Sequence, residues 1–574
     1  MRPLGQACSS CSGRIVTSTR SARRFPVCTS VSGLHTSQSA LSISSASRSA
    51  TTHPQIIYAS HVAFPPHRGG PQRGAITISS TGHIDSIHPK FSLRDAKQLA
   101  LKRNLALVDL SSDATSPIAL SPGIIDVHCH ISELGRDWEG YHTATRAAAA
   151  GGITTLFGMP LNSIPATTTV EALRQEIDAA RRIQLMADVG LWGGAVPSNV
   201  ESPEGVERLK HLLDGGVFGL KAFLAPLPPD AGYETVSPAQ LKIAATICGE
   251  RGKPLLVHSE LMTQQEQDDM AEEAYAGKNY GSYEAHVASR PAVWEQDAVE
   301  VVCDLSDRCH MHVVHLSDSG CFDIIERAKR RIYETKPRAG NLTVETCPHY
   351  LLFDAESLPD GDTRYKCFPP IRSKRNQNEL WRRGLIGDND HSPLIDMIAS
   401  DHSPCTPDLR MQDTGNVRRA WGGLTGLQYQ LPATVMAMYR HAMERGSNKE
   451  VDDEQEELNS MLTLLAEWWS AAPSRLAPGL PAFKGTIDVG QQADLCAWDA
   501  MQIGKPCEFS AEHHRWKGGG VYADMKLRGR VMATWLKGSK IYDGDLDRFA
   551  GDEVEAESSS KTRGSIGSLL LEST

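Results

Sequence analysis

The strongest constraint in this 574-residue chain is a regular alternation of apolar, strand-like runs with helical stretches between residues 122 and 479. Eight short apolar runs follow one another, among them IIDVHCH, TTLFGMP, PLLVHS and MHVVHLS, and segments such as VEALRQEIDAARRI separate them. Strands that alternate with helices indicate βα units and a parallel sheet. Eight units over about 350 residues predict an α/β fold, specifically a (β/α)8 barrel with insertions.

Both flanks of this region have β character. Residues 51–121 contain short β segments broken by Pro, Gly and Ser, and residues 480–545 contain alternating apolar runs separated by Gly turns. We therefore expect the two flanks to form one small β-sandwich domain beside a barrel domain at 122–479. Residues 546–574 are rich in Ser, Gly and Glu and contain few core-forming residues, which predicts a disordered tail.

Charge is distributed unevenly along the chain. Residues 1–50 contain six Arg and fourteen Ser but no acidic residue, which is the composition of a mitochondrial transit peptide, with a disordered leader as the alternative. The thirteen Cys are scattered without regular spacing, which favours a reducing, intracellular compartment. The cytoplasm is therefore the expected location, and the mitochondrion is the alternative.

Composition argues against several classes of partner. The 59 Lys and Arg against 69 Asp and Glu give a formal net charge of −10, which disfavours a nucleic-acid binder held by phosphate contacts. No window approaches about 18 consecutive apolar residues, so the sequence predicts no membrane span. The sequence therefore predicts neither a nucleic-acid nor a membrane partner.

The clearest chemical signal is a pair of histidines in PGIIDVHCHIS. His128 and His130 close an apolar run, and alternate residues of a strand point to the same face, so the two imidazoles should converge. The ends of barrel strands are where catalytic residues of such folds lie. Two exposed or hydrogen-bonded histidines in a loop are the structural alternative.

Four further candidates end other apolar runs. They are Lys221 in VFGLKAFLA, His258 in PLLVHSE, His315 in HMHVVHLSDS and Asp401 in LIDMIASDHSP. The structural alternatives are a Lys that reaches solvent, satisfied core histidines and an Asp that caps a turn. The shared position at strand ends favours one common site instead. A Lys desolvated in an apolar strand can react with carbon dioxide or bicarbonate, and the resulting N6-carboxylysine is an anion able to bridge two metal ions.

Four imidazoles, one carboxylate and a carbamate form a nitrogen and oxygen ligand set without thiolate. Such a set suits Zn²⁺ and also Co²⁺, Ni²⁺ or Mn²⁺. Two of these ions about 3.5 to 4 Å apart can share one hydroxide and polarise a carbonyl, which predicts hydrolysis of an inert amide. Asp401 can take the hydroxide proton and return it to the leaving nitrogen.

Motifs between residues 55 and 545 resemble the cyclic-amidohydrolase branch of the amidohydrolase superfamily and, within it, the allantoinases. They are, in order, HCHISELGRDWEGY, TRAAAAGGITTLFGMPLNSIPATTT, WGGAV, GLKAFLAP, VHSE, VHLSDS, ETCPHYLLF, KCFPPIR, ASDHSPC and AWGGLTGLQ. The resemblance implies hydrolysis of allantoin to allantoate in purine catabolism, a homotetramer and a binuclear metal centre. Its expected ligands are His128, His130 and Asp401 on one ion, a bridging carboxylated Lys221, and His258 and His315 on the other ion.

A few positions discriminate between relatives with other substrates. Dihydroorotases carry an Arg two residues after the second histidine, whereas this chain has Ser132. Dihydropyrimidinases and hydantoinases share the metal set and are the alternative, although PLNSIP, AWGGLTGLQ and DHSPC are more similar to allantoinases. A noncatalytic scaffold is disfavoured because every ligand position holds a competent residue. Asn162 and Ser163 could contact a ureido group, or could form a turn.

Three other histidines are left out of the expected ligand set. His310 and His312 are separated from His315 by odd numbers of residues, which places them on the opposite strand face as structural or exposed residues. His349 is expected to hydrogen-bond rather than to bind a metal. The Gly- and charge-rich segment 406–423 is either a mobile lid or a plain surface loop.

Overall fold

The structure is a computed structural model that describes residues 53–572 except 112–116, 339, 388–391, 445–453, 506, 507, 509 and 553–565. The expected leader at 1–50 therefore lies outside the described residues. Among the described residues, no helix combines the length and the apolar character that crossing a bilayer would require.

The described residues contain the following strands: β1 Gln55–Val62, β2 Gln72–Ile78, β3 Ile84–Pro89, β4 Ala106–Leu110, β5 Ile118–Pro122, β6 Ile124–Cys129, β7 Ile153–Gly158, β8 Asp188–Leu191, β9 Gly193–Gly194, β10 Leu220–Phe223, β11 Leu255–His258, β12 His310–Val313, β13 Asn341–Thr346, β14 Met397–Ile398, β15 Leu495–Gly504, β16 Leu527–Leu536, β17 Ser539–Asp543 and β18 Arg548–Phe549.

The α-helices of the same residues are α1 Leu93–Arg103, α2 Tyr141–Ala150, α3 Val170–Arg181, α4 Pro203–Asp214, α5 Pro238–Glu250, α6 Gln264–Tyr275, α7 Tyr283–Ala288, α8 Ala292–Asp304, α9 Phe322–Thr335, α10 Pro348–Leu352, α11 Lys374–Glu379, α12 Pro407–Arg410, α13 Gln430–Glu444, α14 Glu454–Ala466 and α15 Ala472–Leu476. Helices α1, α5 and α6 begin at capping boxes, in which a Ser or Thr side chain and a residue three positions later satisfy the first free amides.

Parallel strands alternate with helices along the middle of the chain, which confirms the predicted mixed α/β class. They pair in two groups, β6–β7–β8 and β9–β10–β11–β12–β13–β14. The amide of Trp192 donates to the carbonyl of Gly158, and that of Gly193 donates to Gly219, which joins the groups at one side. At the other side Cys129, at the end of β6, forms a parallel bridge with His402, which follows β14. The carboxyl ends of these strands therefore lie at one end of the fold.

Every residue of β6, β7, β10 and β11 is buried. Parallel strands covered on both faces read as continuous apolar runs, which is why these segments stand out in the sequence. One apolar cluster comes from side chains of the strands themselves, including Ile125, Val127, Phe157 and Leu256. A larger cluster fills the space between the strands and the surrounding helices.

The two β-rich flanks meet in one sheet. Its strand order is β18–β17–β16–β15–β5–β1–β2–β3, with β4 beside β1. Strand β5, from the flank that precedes the parallel strands, pairs antiparallel with β15 from the flank that follows them, and Leu120 lies opposite Ala497. Segments separated by the whole α/β region are thus joined by a continuous ladder.

Two described parts of the expected disordered tail at 546–574 pair with strands, whereas 553–565 lie outside the described residues. Strand β18 pairs with β17, and residues 566–572 run parallel to β8 with a bridge between Val189 and Leu569. The amide of Leu570 donates to the carbonyl of Val189, and the Leu570 side chain is buried. A polar composition concealed this because backbone pairing and one buried leucine are sufficient to dock a short strand.

A buried ion network links β8 to the mixed flanking sheet and to the docked tail. Asp188 forms an ion pair with Lys484 at 2.9 Å and accepts a hydrogen bond from Lys537 at 2.8 Å, and Lys484 also pairs with Asp494. The amide of Ser568 donates to Asp188. Burial alone would raise the pKa of Asp188, but the two lysines hold this pKa below its usual range. The network therefore consists of charged groups rather than neutral ones.

Replacing Lys484 with Met should remove a cation that two buried carboxylates share, and should lower the free energy of unfolding by about 3 to 5 kcal/mol. Because folding depresses the pKa of Asp188, its stabilising effect is present above about pH 4 and is lost as the pH falls through the folded value. Urea unfolding at pH 7 and at pH 3 would measure both effects.

The matched control is Lys540→Met, which removes one partner of the exposed Lys540–Asp543 pair and should cost less than about 1 kcal/mol. Equal losses in the two variants would contradict the stabilising role of the buried network.

Candidate metal centre

The six expected ligands lie at the carboxyl ends of the parallel strands. His128 is in β6, Lys221 is in β10 and His258 ends β11, whereas the remaining three follow β6, β12 and β14 within three residues. All six are buried, and none is more than 7% exposed. The structure thus brings side chains from distant parts of the sequence to one end of the fold, as parallel strands require.

Three of these residues form a possible metal site. The Nε2 atoms of His128 and His130 lie 3.3 and 3.5 Å from Oδ1 of Asp401, and ligand atoms of the three residues lie within 4.8 Å of one another. Burial lowers the pKa of His130 to about 4. Burial would raise the pKa of Asp401, but the two imidazoles lower it to about 2. A neutral imidazole beside an ionised carboxylate is the state that binds a divalent cation.

A second pair of histidines adjoins the first group. Nδ1 of His258 lies 3.0 Å from Nε2 of His315. The ring centroid of His315 lies 5.3 Å from that of His128, so one array of rings connects the two pairs. Burial lowers the pKa of His258 and of His315, and the charge of Lys221 acts in the same direction.

Lys221 carries an amine with no hydrogen-bond partner among the described residues. Its Nζ lies 4.7 Å from the ring centroid of Phe223, and that ring stacks on His258. Burial lowers the pKa of Lys221 to about 7, against the opposing charges of Glu345 and Asp401. An amine of this kind is uncharged in a substantial fraction of molecules near neutrality, and the uncharged form is the one that reacts with carbon dioxide.

Sequence reasoning missed Glu345, which holds the first group in place. Nδ1 of His128 donates to this carboxylate at 2.5 Å, Nε2 of His312 donates at 3.0 Å, and the amide of His315 donates at 3.1 Å. Burial would raise the pKa of Glu345, but the charge and hydrogen bond of His128 hold it well below its usual range. His312 is therefore a buried partner of this carboxylate. An acidic residue inside the apolar run LTVETC was the available signal.

Glu260 performs the same task for the second pair and was also missed. Nε2 of His258 donates to Glu260 at 2.8 Å, and Arg290 donates to the same carboxylate through Nε at 2.9 Å and through Nη2. The proton on Nε2 leaves the lone pair of Nδ1 directed toward His315. The signal was the glutamate two residues after the histidine in VHSE.

The donor chemistry of the site fits a divalent cation. In a neutral His128 the proton lies on Nδ1, toward Glu345, so Nε2 directs a lone pair at Oδ1 of Asp401 only 3.3 Å away. Two electron-pair donors this close repel each other unless positive charge lies between them. The site contains imidazole and carboxylate without thiolate, a set that zinc and similar ions accept.

The backbone at two of these residues adopts the left-handed conformation. His315 has a φ of 39° and Asp401 has a φ of 44°, values that cost a non-glycine residue about 1 to 3 kcal/mol. Such conformations persist where the surrounding structure holds them, and they concentrate at functional sites. The direction of these two side chains is therefore set by a local turn and not by the strand end alone.

The other sequence candidates have partners of different kinds. The Asn162 amide lies 3.2 Å from Nδ1 of His130, whereas the Ser163 hydroxyl bonds to Glu176. The structure therefore brings Asn162 to the ligand group and directs Ser163 away from it.

The remaining histidines differ in their partners. Neither ring nitrogen of His349 has a hydrogen-bond partner among the described residues. Burial lowers the pKa of His349 to about 4, although Asp401 opposes the shift. His310 bonds to Thr343.

Glu345→Gln should weaken zinc binding about 10- to 100-fold, because the amide no longer favours the His128 tautomer that presents Nε2. Competition for zinc with a chromogenic chelator would measure the affinity. Glu334→Gln makes the same substitution at an exposed residue and should leave the affinity for zinc unaltered. If Glu345→Gln also left the affinity unaltered, the proposed orienting role would be wrong.

Comparison with known proteins gives consistent relatives. The chain matches the amidohydrolase family over residues 119–539. An allantoinase from Arabidopsis thaliana is 38% identical over 434 residues, which cover 74% of this chain and 78% of that protein. An allantoinase from Streptomyces avermitilis is 38% identical over 490 residues, which cover 84% and 96%. Among solved structures, the L-hydantoinase (dihydropyrimidinase) from Arthrobacter aurescens shares the fold with a TM-score of 0.68 at 22% identity, covering 86% and 96%.

Proposed function

This chain belongs to the amidohydrolase family, and on that premise we propose that it hydrolyses the hydantoin ring of allantoin to give allantoate. The convergence of His128, His130 and Asp401 beside the paired His258 and His315 supports a metal-dependent hydrolysis. The choice of allantoin is supported by the relatives, which carry the name allantoinase.

The expected architecture is part of the same proposal. We infer that the parallel strands form a (β/α)8 barrel at 122–479, which the bridge between Cys129 and His402 supports. We also infer that 51–121 and 480–545 form one small β-sandwich domain, which the pairing of β5 with β15 supports. The barrel would place the metal site at the carboxyl ends of its strands.

We propose that the site holds two divalent ions, with Zn²⁺ as the first choice and Co²⁺, Ni²⁺ or Mn²⁺ as alternatives. The unpartnered Nζ of Lys221 would be carboxylated by carbon dioxide, which gives the second anion that two cations require. The ligands would be His128, His130 and Asp401 on one ion, carboxylated Lys221 between the ions, and His258 and His315 on the other ion.

Bound divalent ions supply a water of lowered pKa and polarise the amide carbonyl. Asp401, ionised because its pKa is about 2, accepts the proton of the attacking water and passes it to the ring nitrogen as the amide C–N bond breaks. One water is consumed, the ring opens to a carboxylate and the terminal NH2 of a second ureido group, and one proton is released to solvent. Glu345 and Glu260 hold the imidazoles in the required tautomers throughout.

Removal of metal should abolish allantoin hydrolysis, and zinc with bicarbonate should restore it.

Lys221→Ala should lower kcat at least about 1000-fold, because no anion then joins the two ions, and small carboxylic acids should restore part of the activity. A colorimetric assay of allantoate would measure ring opening, and metal analysis would measure the bound metal. Lys242→Ala, which removes an exposed lysine, is the matched control.

A noncatalytic scaffold would give a different outcome in that experiment. It would bind little metal, and its metal content would not respond to Lys221→Ala.

A hydantoinase or dihydropyrimidinase is the second candidate, and the similarity to the Arthrobacter aurescens structure favours testing it. In competition assays with purified protein, we expect allantoin to be preferred over dihydrouracil and hydantoin by at least about tenfold in kcat/KM. A clear preference for dihydrouracil would replace the proposed substrate.

We also propose an oligomeric state and a cellular location for the protein. The sequence resemblance supports a homotetramer. The acid-free composition of residues 1–50 supports a mitochondrial location as the alternative to the cytoplasm.

A further inference from the structure

A polar cleft of about 420 Å³ adjoins the candidate metal centre. Its walls come from the residues after β10, from His258 at the end of β11, from helices α6 and α7, from the region after β13 and from the loop 406–423. We call it the basic cleft after Arg290, Lys366 and Arg418; Gln267, His286 and the carboxylates of Asp268 and Glu272 also line it. His258 belongs both to the cleft and to the metal centre, so the two regions adjoin at this residue.

Lys366 is a cation with unused hydrogen-bonding capacity in this cleft. It is 5% exposed, and its Nζ donates to the carbonyls of Arg418 at 3.0 Å and Ala420 at 2.7 Å. An ammonium has three N–H donors, so one remains. No carboxylate pairs with Lys366 among the described residues. Burial lowers the pKa of Lys366 to about 7, with Arg290 and Arg410 adding to the shift, so an acceptor in the cleft would favour its charged form.

Arg418 is the second available cation, and it is carried by the segment that the sequence marks as a lid or a surface loop. Its guanidinium lies over the rings of Tyr275 and Tyr280, 5.6 and 5.3 Å from their centroids. Its backbone amide donates to the carbonyl of Tyr280, which fixes the loop at this point. In the described part of the chain its guanidinium has no ion pair. Arg290, by contrast, is committed to Glu260 and Gln267.

His286 supplies an acceptor on the same wall. Its Nε2 donates to the carbonyl of Cys367 at 3.1 Å. Burial lowers the pKa of His286 to about 3, so the ring is neutral and Nδ1 retains a lone pair. The cleft thus combines two cationic hydrogen-bond donors, Lys366 and Arg418, with the neutral acceptor His286, beside the carboxylates of Asp268 and Glu272. A ureido group has the complementary pattern, because its carbonyl oxygen accepts hydrogen bonds and its N–H groups donate them.

We propose that the basic cleft binds the exocyclic ureido group of the substrate, with Lys366 and Arg418 donating to its carbonyl oxygen and His286 accepting from an N–H. The inference rests on the proposed function. The Ser163 hydroxyl is engaged with Glu176 and one N–H of Asn162 with His130, whereas Lys366 and Arg418 have no carboxylate partner among the described residues. Hydantoin has the same ring but no ureido group, so it does not reach these residues.

The test compares allantoin with hydantoin in the zinc-loaded full chain. Arg418→Met and Lys366→Met should each lower kcat/KM for allantoin about 10- to 100-fold, because a site built to hydrogen-bond a group loses that discrimination when a donor is removed. The value for hydantoin should change less than about threefold. Where hydantoin is turned over too slowly, its inhibition constant against allantoin replaces kcat/KM.

Arg419→Met is the matched control, because it removes the same charge from the adjacent, exposed position of the same loop. It should leave both substrates unaffected. Arg418→Met keeps the bonds that Lys366 makes to the loop carbonyls but removes the contact of the guanidinium with Tyr275 and Tyr280, whereas Lys366→Met does the reverse. A fall for allantoin alone in both variants therefore identifies substrate contacts.

Equal losses for the two substrates, or no loss, would overturn the inference and leave the proposed function intact. A wild-type protein that hydrolyses hydantoin but not allantoin would overturn the proposed function, and the ureido assignment with it.

Discussion

The hydrogen bond from His128 to Glu345 is the interaction on which the candidate site depends. It joins the end of β6 to β13 inside the protein, at 2.5 Å and away from water. Because the carboxylate accepts a hydrogen bond from Nδ1–H, the other ring nitrogen of the neutral imidazole directs its lone pair at Asp401. The same carboxylate accepts a hydrogen bond from the backbone amide of His315. One buried acid therefore sets both the tautomer of one imidazole and the position of another.

Glu260 and Arg290 repeat this arrangement on the second side. Arg290 neutralises Glu260, which orients His258. Arg290 also lines the basic cleft. The same side chain therefore fixes the His258 ring through Glu260 and forms part of the wall at which we propose the ureido group binds. A charge change at Arg290 would disturb both regions at once, which is why the test of the cleft uses Lys366 and Arg418 instead. The orienting residues and the substrate contacts are thus separable.

Strand ends could be located from the sequence because parallel strands covered on both faces leave continuous apolar runs, and a polar residue that ends such a run is conspicuous. This reasoning selected His128, His258 and Asp401. It did not find Glu345: the apolar run around this acid was a signal, but its role follows only from its partners on other strands. Nor could it assign Ser163, whose partner Glu176 lies on α3. Pairings across the fold decide such residues, and local patterns do not contain them.

The docked residues 566–572 also bear on the order in which the chain folds. Ser568 bonds to Asp188 across a separation of 380 residues, and its neighbours complete the hydrogen bonds of β8. During synthesis, β8 leaves the ribosome long before this partner exists. Part of the edge of β8 therefore stays unpaired until residues 566–572 have been made. The pairing of this strand is completed late, although the strand itself is among the first to be made.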